Sequence, residues 1–498
     1  MSYTSTPTNE HGKTGRRDFL SGLLRGWLSW QTASRAWAGA ESAPACAEKG
    51  SEPWSRFRGP EGSGRALGSG YPIRFGPGKN MRWRRPSPMG KSSPVLSARH
   101  VFLTSEAGDR LTVIAVDRND GKTVWERSIS RVRNQYRHPL NHAASSSVVT
   151  DGENVYGYFG DFGIVSYDAK GRERWKRRIE PPSNLWGDGA SPILTAKAVV
   201  LPFGGFSGSG LAAFDKANGR KVWEVQGPPF TLNYSTPFQR ADSAGRCEIV
   251  AAAPNLLAGY DPETGARRWS EKLPTGSLIA SPILTDDDAV ITMFYLAESQ
   301  PPFPDQNGDG VVTTADIPVD PKEWQQTRIL QLMAAESGNG DGIISRDEWT
   351  QFWTAVQGTP VVNSTGIIAA GSGQSVRGAR WSHTRGVARV PTPLFHNSIV
   401  YYVNNGGILT ALGSKSGAML KVGRLEGALD SYYASPVAAD GLIYLTSETG
   451  KVVVVRAGAD WEMLACNDLD EPCYATPALS GGKIFLRTSQ SLACFASG

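Results

Sequence analysis

The sequence predicts an all-β chain closed into a ring of four-stranded antiparallel blades, an eight-bladed β-propeller. Three observations predict it: a Ser/Thr-Pro pair that recurs at a near-constant step, a fixed order of strand and turn signals after each pair, and an unfinished last unit matched by a solitary strand near the start.

The pairs stand at Ser93-Pro94, Ser191-Pro192, Thr236-Pro237, Ser281-Pro282, Thr392-Pro393, Ser435-Pro436 and Thr476-Pro477, with Ser146-Ser147 as a variant lacking the proline. From 191 to 236 to 281 the step is 45 residues each time, and from 392 to 435 to 476 it is 43 and then 41. Proline fixes φ at the first residue of a strand, where it costs no ladder hydrogen bond.

After each pair comes a short strand, then a β-rich one such as Asn154–Tyr158, then a third ending in aspartate at Asp117, Asp168, Asp215 and Asp261. A glycine turn and a tryptophan strand close the unit: Gly121 with Trp125, Gly171 with Trp175, Gly219 with Trp223, Gly265 with Trp269. The aspartate accepts hydrogen bonds from turn amides and the glycine takes a positive φ, which together make a tight hairpin. The indole is a large apolar plate able to fill the gap between neighbouring sheets. The sixth unit departs, with Gly413 and Leu420 at the aspartate and tryptophan places, and the seventh keeps only Trp461.

The eighth unit ends after its third strand, Leu492–Phe495, without a tryptophan strand. Upstream of the first unit, Asn80–Arg84 around Trp83 reads as that missing strand, so both ends of the chain are expected to share the last blade and close the ring. Eight blades are expected, with seven as the alternative.

Composition agrees with short strands and tight turns: 56 Gly, 32 Pro and 15 Trp in 498 residues, with a net charge of only +5. The basic runs Arg82, Arg84, Arg85 and Lys170–Arg178 read as charged outer strands rather than as a nucleic-acid stripe, and no nucleic-acid partner is expected. Five cysteines (Cys46, Cys247, Cys466, Cys473, Cys494) form no CxxC and no haem-attachment motif. Cys466 and Cys473 are the nearest candidates for a disulfide, the pairing being otherwise open.

From Ser281 to Thr392 the step is 111 residues, far more than one unit. The excess holds two twelve-residue loops spaced like EF-hand calcium loops. The first offers Asp305, Asn307, Asp309, the Val311 carbonyl and Asp316; the second offers Ser337, Asn339, Asp341, the Ile343 carbonyl and Glu348. Gly310 and Gly342 allow the sharp turn at position six. Pro321–Met333 and Arg346–Val356 read as flanking helices, the second with Trp349, Phe352, Trp353 and Val356 on one face. Asp316 is one methylene shorter than the usual Glu and Ser337 brings no charge, so a modest, structural calcium affinity is expected.

The first residues resemble a twin-arginine export signal: Arg16-Arg17 before Phe19-Leu20, a moderately apolar stretch to Trp30, and Ala36, Ala38 and Ala40 suited to cleavage. No stretch reaches the roughly 18 apolar residues of a membrane helix. The residues before Cys46 match a lipid-anchor motif poorly. The expected organisation is 1–45 signal and linker, 46–296 closing strand and first blades, 297–358 EF-hand pair within blade 5, and 359–498 the remainder.

The Asp-x-x-x-Gly-x-x-x-Trp unit after an alanine-rich strand resembles the PQQ-like repeat shared by quinoprotein dehydrogenases and the propeller lipoprotein of outer-membrane assembly. The tail, Ala434–Gly441 and Asn467–Ala478, looks like a branch of exported bacterial propellers. That resemblance implies a periplasmic or extracellular protein and leaves three functions open. A non-catalytic scaffold binding a protein or glycan partner is preferred. A PQQ-dependent alcohol or sugar oxidoreductase is the first alternative, and a carbohydrate-binding propeller the second. The chain lacks the adjacent cysteines many such dehydrogenases carry, and no residue stands out as a general base, Asp117 and its counterparts being turn formers. His138, Asn141 and His142 are the candidates for lining an entrance, or for a purely structural loop.

Overall fold

The computed structural model describes Cys46 and, from Trp54 to Gly498, all but short stretches, the longest being 295–301, 318–323, 358–363 and 370–379. The segment 1–45, with the twin-arginine pattern, lies outside the described residues.

The strands gather into four-stranded antiparallel sheets, each connected in simple up-and-down order. Blade 1 comprises Val95–Leu96, His100–Ala107, Arg110–Asp117 and Thr123–Ser130. Blades 2, 3 and 4 follow at 149–178, 193–227 and 238–272, and blade 5 takes 283–294 and 364–383 on either side of the insertion. Blades 6 and 7 occupy 394–424 and 437–468. The expected count of eight blades is corrected: seven four-stranded blades each come from their own stretch of chain, and the remaining four-stranded sheet is, as the sequence suggested, shared by the two ends of the chain. That closing sheet joins Ala478–Ser480, Lys483–Arg487 and Ser491–Ala496 to Met81–Pro86 from the other end of the chain. Trp83 pairs with Cys494 and Arg85 with Leu492 in this closure.

The repeat residues act between blades as well as within them. The Asp117 carboxylate accepts the amides of Asn119 and Asp120, and Asp168, Asp215 and Asp261 cap their turns in the same way. Just before each of these aspartates the third and fourth strands shift register by a bulge, for example between Ala115 and Val116. Such a bulge re-aims the fourth strand. Five tryptophans then reach the next blade: Nε1–H of Trp83, Trp125, Trp175, Trp223 and Trp381 donates to the carbonyls of Arg118, Ala169, Lys216, Pro262 and Ser414, whereas Trp269 donates to Glu248 within its own blade. Four of these acceptors directly follow a capping aspartate, and Ser414 follows Gly413 in its place.

The fourth strands are largely exposed, as in Glu173–Arg178, whose Trp175 alone is buried. The basic runs thus lie on outer strands, and the short first strands, such as Val95–Leu96 and Val149–Thr150, are fully buried around the axis.

Candidate functional site

The Ser/Thr of the opening pairs form a closed circle at the axis. The backbone N–H of Ser93 donates to the hydroxyl of Ser147, Ser147 to Ser191, Ser191 to Thr236, and Thr236 to Ser281. The circle continues from Ser281 through Thr392, Ser435 and Thr476 and returns to Ser93, every step being 2.9 or 3.0 Å. The recurring Ser/Thr is therefore a blade-to-blade latch, a second reason for the motif beside the proline.

Beside this circle, residues 54–66 run across the lumen. Trp54 O and Ser55 O accept from Leu96 and Thr150 in the first strands of blades 1 and 2. Arg56 donates to Pro237 O of blade 4, and Arg58 to Thr392 O, Pro393 O and Pro436 O of blades 6 and 7. Gly64 and Ala66 exchange backbone hydrogen bonds with Ala438. Trp54 and Arg58 are 0% and 1% exposed, so the segment fills the space it crosses. Burial lowers the Arg58 guanidinium to about 9, and the carbonyls of Gly62 and Ser63 join the three blade carbonyls around its charge. Gly59, at φ +68°, lies so close to Trp54 that a Cβ there would stand 2.5 Å from the indole. Nothing in the repeat pattern announces this segment; the only sequence signal is the pair of arginines in Arg56–Gly59.

On the opposite side of the circle the loops entering the blades carry a buried polar network. Asp161, fully buried, accepts from Arg137 at 2.6 Å and from the Gln135 amide at 3.0 Å, with Arg131 3.6 Å away. Burial, together with the neighbouring charge of Asp161, raises Asp188 to about 6, while Tyr158, Arg133 and Arg137 act against that rise. His142 Nδ1 lies 3.0 Å from Glu106, and Asn141 donates to Trp186 O at 2.7 Å and Asp188 O at 3.2 Å. His138 packs against Trp186 at a tilt, with ring centres 4.9 Å apart. The three residues singled out from sequence are thus brought together, as braces between the loops of blades 1, 2 and 3.

The insertion leaves blade 5 after Ala289–Phe294 and returns at Ser364–Ala369, and contains the helices Trp324–Glu336 and Arg346–Gln357. Its two loops meet in a short antiparallel pair, Val311–Thr313 with Ile343–Ser345, in which Val312 faces Ile344. In the first loop Asp305 accepts from Gly308 and Gly310, Asn307 from Asp309, and Asp309 from Val311. The Asn307 amide lies 3.0 Å from Asp309 and 3.3 Å from Asp316, between two carboxylates. Thr313 donates to Asp316 and Ser345 to Glu348, so the two loops end alike. These hydrogen bonds hold Asp316 below the usual carboxylate range. Asp341 accepts from the Ile343 amide, whereas Ser337 and Asn339 lie outside the described residues. Among the described residues no group of three or more His, Cys, Asp or Glu side chains is gathered for a metal. Trp349, Phe352 and Trp353 are buried in one cluster with Tyr234, against which Trp186 and Ile279 pack, so the insertion rests on the loops of blades 3, 4 and 5.

The disulfide joins Cys46 to Cys247 at the edge of blade 4, with Cα atoms 5.2 Å apart. Of the pairing left open by the sequence, the nearest candidates do not form it: Cys466 is exposed, Cys473 is buried, and both are free thiols.

The circular latch, the aspartate-capped turns and the indoles that bridge blades define a closed repeat propeller. A family profile described as outer membrane protein assembly factor BamB matches residues 110–288 and, in an overlapping register, 207–457. The chain belongs to that PQQ-like propeller family. No curated protein matches it at the sequence level. Among solved structures it is similar to BamB from Moraxella catarrhalis, at 11% identity and a TM-score of 0.53 over 83% of this chain and 98% of that one. It is likewise similar to the Dos1 propeller, at 8% identity and a TM-score of 0.54 over 84% and 94%. The computationally designed Ika8 protein aligns at 11% identity and a TM-score of 0.52 over 84% and 99%. These likenesses show the fold. Among the described residues no helix is long and apolar enough to cross a membrane.

Proposed function

We propose that this chain is an exported, non-catalytic propeller that binds a protein partner, with calcium bracing the insertion. The observation that carries the reading is the occupied lumen. Where a quinone cofactor would need an axial cavity, Trp54 and Arg58 fill the space and hydrogen-bond to the blades. Export is supported by the Cys46–Cys247 disulfide, which persists in oxidising compartments, and by the family's description as an outer-membrane assembly factor. Calcium is supported by the paired loops and by the Asn307 amide, a donor held between two carboxylates where a cation's charge would be accepted. Asp305, Asn307, Asp309, the Val311 carbonyl and Asp316 would hold one ion; Asp341, the Ile343 carbonyl and Glu348, with Ser337 and Asn339, the other.

The test is a spectroscopic titration of residues 46–498 with PQQ in saturating calcium, followed by a dye-linked alcohol oxidation assay. The expected result is neither saturable PQQ binding nor turnover. Stoichiometric binding with turnover sinks the scaffold reading in favour of a quinoprotein oxidoreductase.

A further inference from the structure

The outer strand of blade 6, Met419–Arg424, is unlike the other long outer strands. Those of blades 1, 2, 3, 4 and 7 and of the closing sheet each bear at least two exposed charged side chains, such as Glu126 and Arg127 or Arg82 and Arg84. Charge on a free edge keeps foreign strands from pairing there. Blade 6 instead exposes Met419 at 59%, Leu420 at 43% and Val422 at 50%, with Arg424 as its one exposed charge. It is also the blade where Leu420 replaces the bridging tryptophan. The seam toward blade 7 is closed from the other side, by Trp461, whose ring would stand 3.0 Å from a Cβ on Gly423. Lys421 spans the same seam to Asp460 and to Trp461 O.

This reversed closure leaves two adjoining grooves along the edge, each about 450 Å³. One is lined by Lys421, Gly423, Arg424, Trp461 and Met463, the other by Arg74, Arg424, Glu426, Met463 and Cys466. Lys421 is neutralised by Asp460, and Arg456 of blade 7 by Glu462. Arg74 and Arg424 have no carboxylate at ion-pair distance among the described residues, so with Glu426 the second groove keeps a net positive charge.

We propose that Met419–Arg424 is a docking edge for an extended segment of a partner protein. The segment pairs as a fifth strand, sets apolar side chains at alternate positions against Leu420 and Val422, which share a face of the strand, and places an acidic residue at Arg74 and Arg424. Main-chain pairing supplies affinity in such strand addition, and the alternate side chains and the charge supply choice. The proposal rests on the scaffold reading for its biological sense, but its chemistry is separable: a chain that oxidised alcohol with PQQ and still bound such a segment would sink the scaffold and leave the edge standing.

The probe is a fluorescein-labelled peptide of alternating valine and threonine ending in aspartates, with a lysine-ended peptide as its counterpart. Polarisation should show saturable binding of the acidic peptide, with hydrogen exchange slowed at 419–424. The Met419→Lys/Val422→Lys variant should weaken it on the order of tenfold or more, as charge on an edge does, with its melting temperature unchanged. Arg424→Glu should move preference toward the lysine-ended peptide. The proposal is overturned by no saturable binding up to about millimolar peptide, by equal binding in the charged variant, or by protection elsewhere. A dimer in sedimentation that the same variant dissolves also overturns it, because the edge would then belong to a second copy.

Discussion

The indole of Trp125, on the outer strand of blade 1, covers Gly171 in the turn of blade 2 and donates its Nε1–H to Ala169 O at 3.0 Å. A Cβ on Gly171 would stand 2.7 Å from that ring, and the residue sits at φ +75°. One glycine therefore serves two needs, a left-handed turn and a seat for its neighbour's tryptophan. Trp83 on Gly121, Trp175 on Gly219, Trp223 on Gly265 and Trp381 on Gly417 repeat the contact. Gly171→Ala should cost about 2–4 kcal/mol, from the positive φ and the overpacked ring together. Trp125→Ala should cost about 3–5 kcal/mol. In the double variant the clash is gone, and the alanine at 171 should add only about 1 kcal/mol. Urea denaturation measures all three, and simple additivity would show that the ring and the glycine do not meet.

Arg58 holds the lumen segment by donating to carbonyls of two blades and of its own turn. Arg58→Met leaves those buried oxygens without donors and should cost about 3–5 kcal/mol. Arg58→Lys should recover little, since an ammonium cannot fork across several acceptors. Limited proteolysis should then cut within 54–66 before the blades. Intact resistance in Arg58→Met would mean that the segment is held without its arginine.

Asp188 gives the stability a pH dependence of known sign. Its folded pKa, raised to about 6 by burial and by Asp161, lies above the ordinary 3.8. Between those values the folded chain holds the proton more tightly than the unfolded chain, so stability is lost as pH rises through that window. Asp188→Asn copies the neutral form. It should raise the melting temperature at pH 8 and leave it unchanged at pH 4, and an equal shift at both would remove Asp188 from the account.

The thiols should separate by burial. Burial lifts Cys473 to about 12 and Cys494 to about 11, and both are shut from solvent. Cys466 is exposed, although partial burial raises its pKa as well. Iodoacetamide on the native chain should therefore label Cys466 alone, faster at pH 9 than at pH 7, since the thiolate is the nucleophile. Unreduced peptide mapping should recover Cys46 joined to Cys247. A Cys466–Cys473 peptide would contradict the fold at blade 7.

The blades were legible because each repeats a local demand: Asp117 needs amides to cap, Gly171 a positive φ, Trp125 a surface to cover. Closure was legible in the same terms, Met81–Pro86 supplying the strand that Ser491–Ala496 lacked. The lumen segment was not, because Arg58 acts once and its partners at 392, 393 and 436 are set by the ring alone. The disulfide was missed for a like reason: Cys46 and Cys247 are 201 residues apart, and no local pattern links them. The Ser/Thr pairs were read as strand openers, whereas their hydroxyls face neighbouring blades, a contact that no single repeat reveals.

Calcium binding turns on the pairing of Val312 with Ile344, which ties the two loops into one unit. Asp305 binds the amides of Gly308 and Gly310, so the loop backbone is already turned for a cation, and little ordering remains to oppose binding. Few anionic ligands per loop weaken affinity, and calorimetry should give a dissociation constant of about 10⁻⁴–10⁻³ M, as for extracellular calcium modules. At about 100 times that constant calcium should stabilise the insertion by about 2.7 kcal/mol. Because Trp349 and Phe352 share a core with Tyr234 of the propeller, the gain should reach the main melting transition. Asp305→Ala should abolish binding at the first loop, and Asp316→Glu, longer by a methylene, should tighten it. Identical melting curves in calcium and in chelator, unchanged by Asp305→Ala, would make the loops hydrogen-bonded turns with no ion to hold.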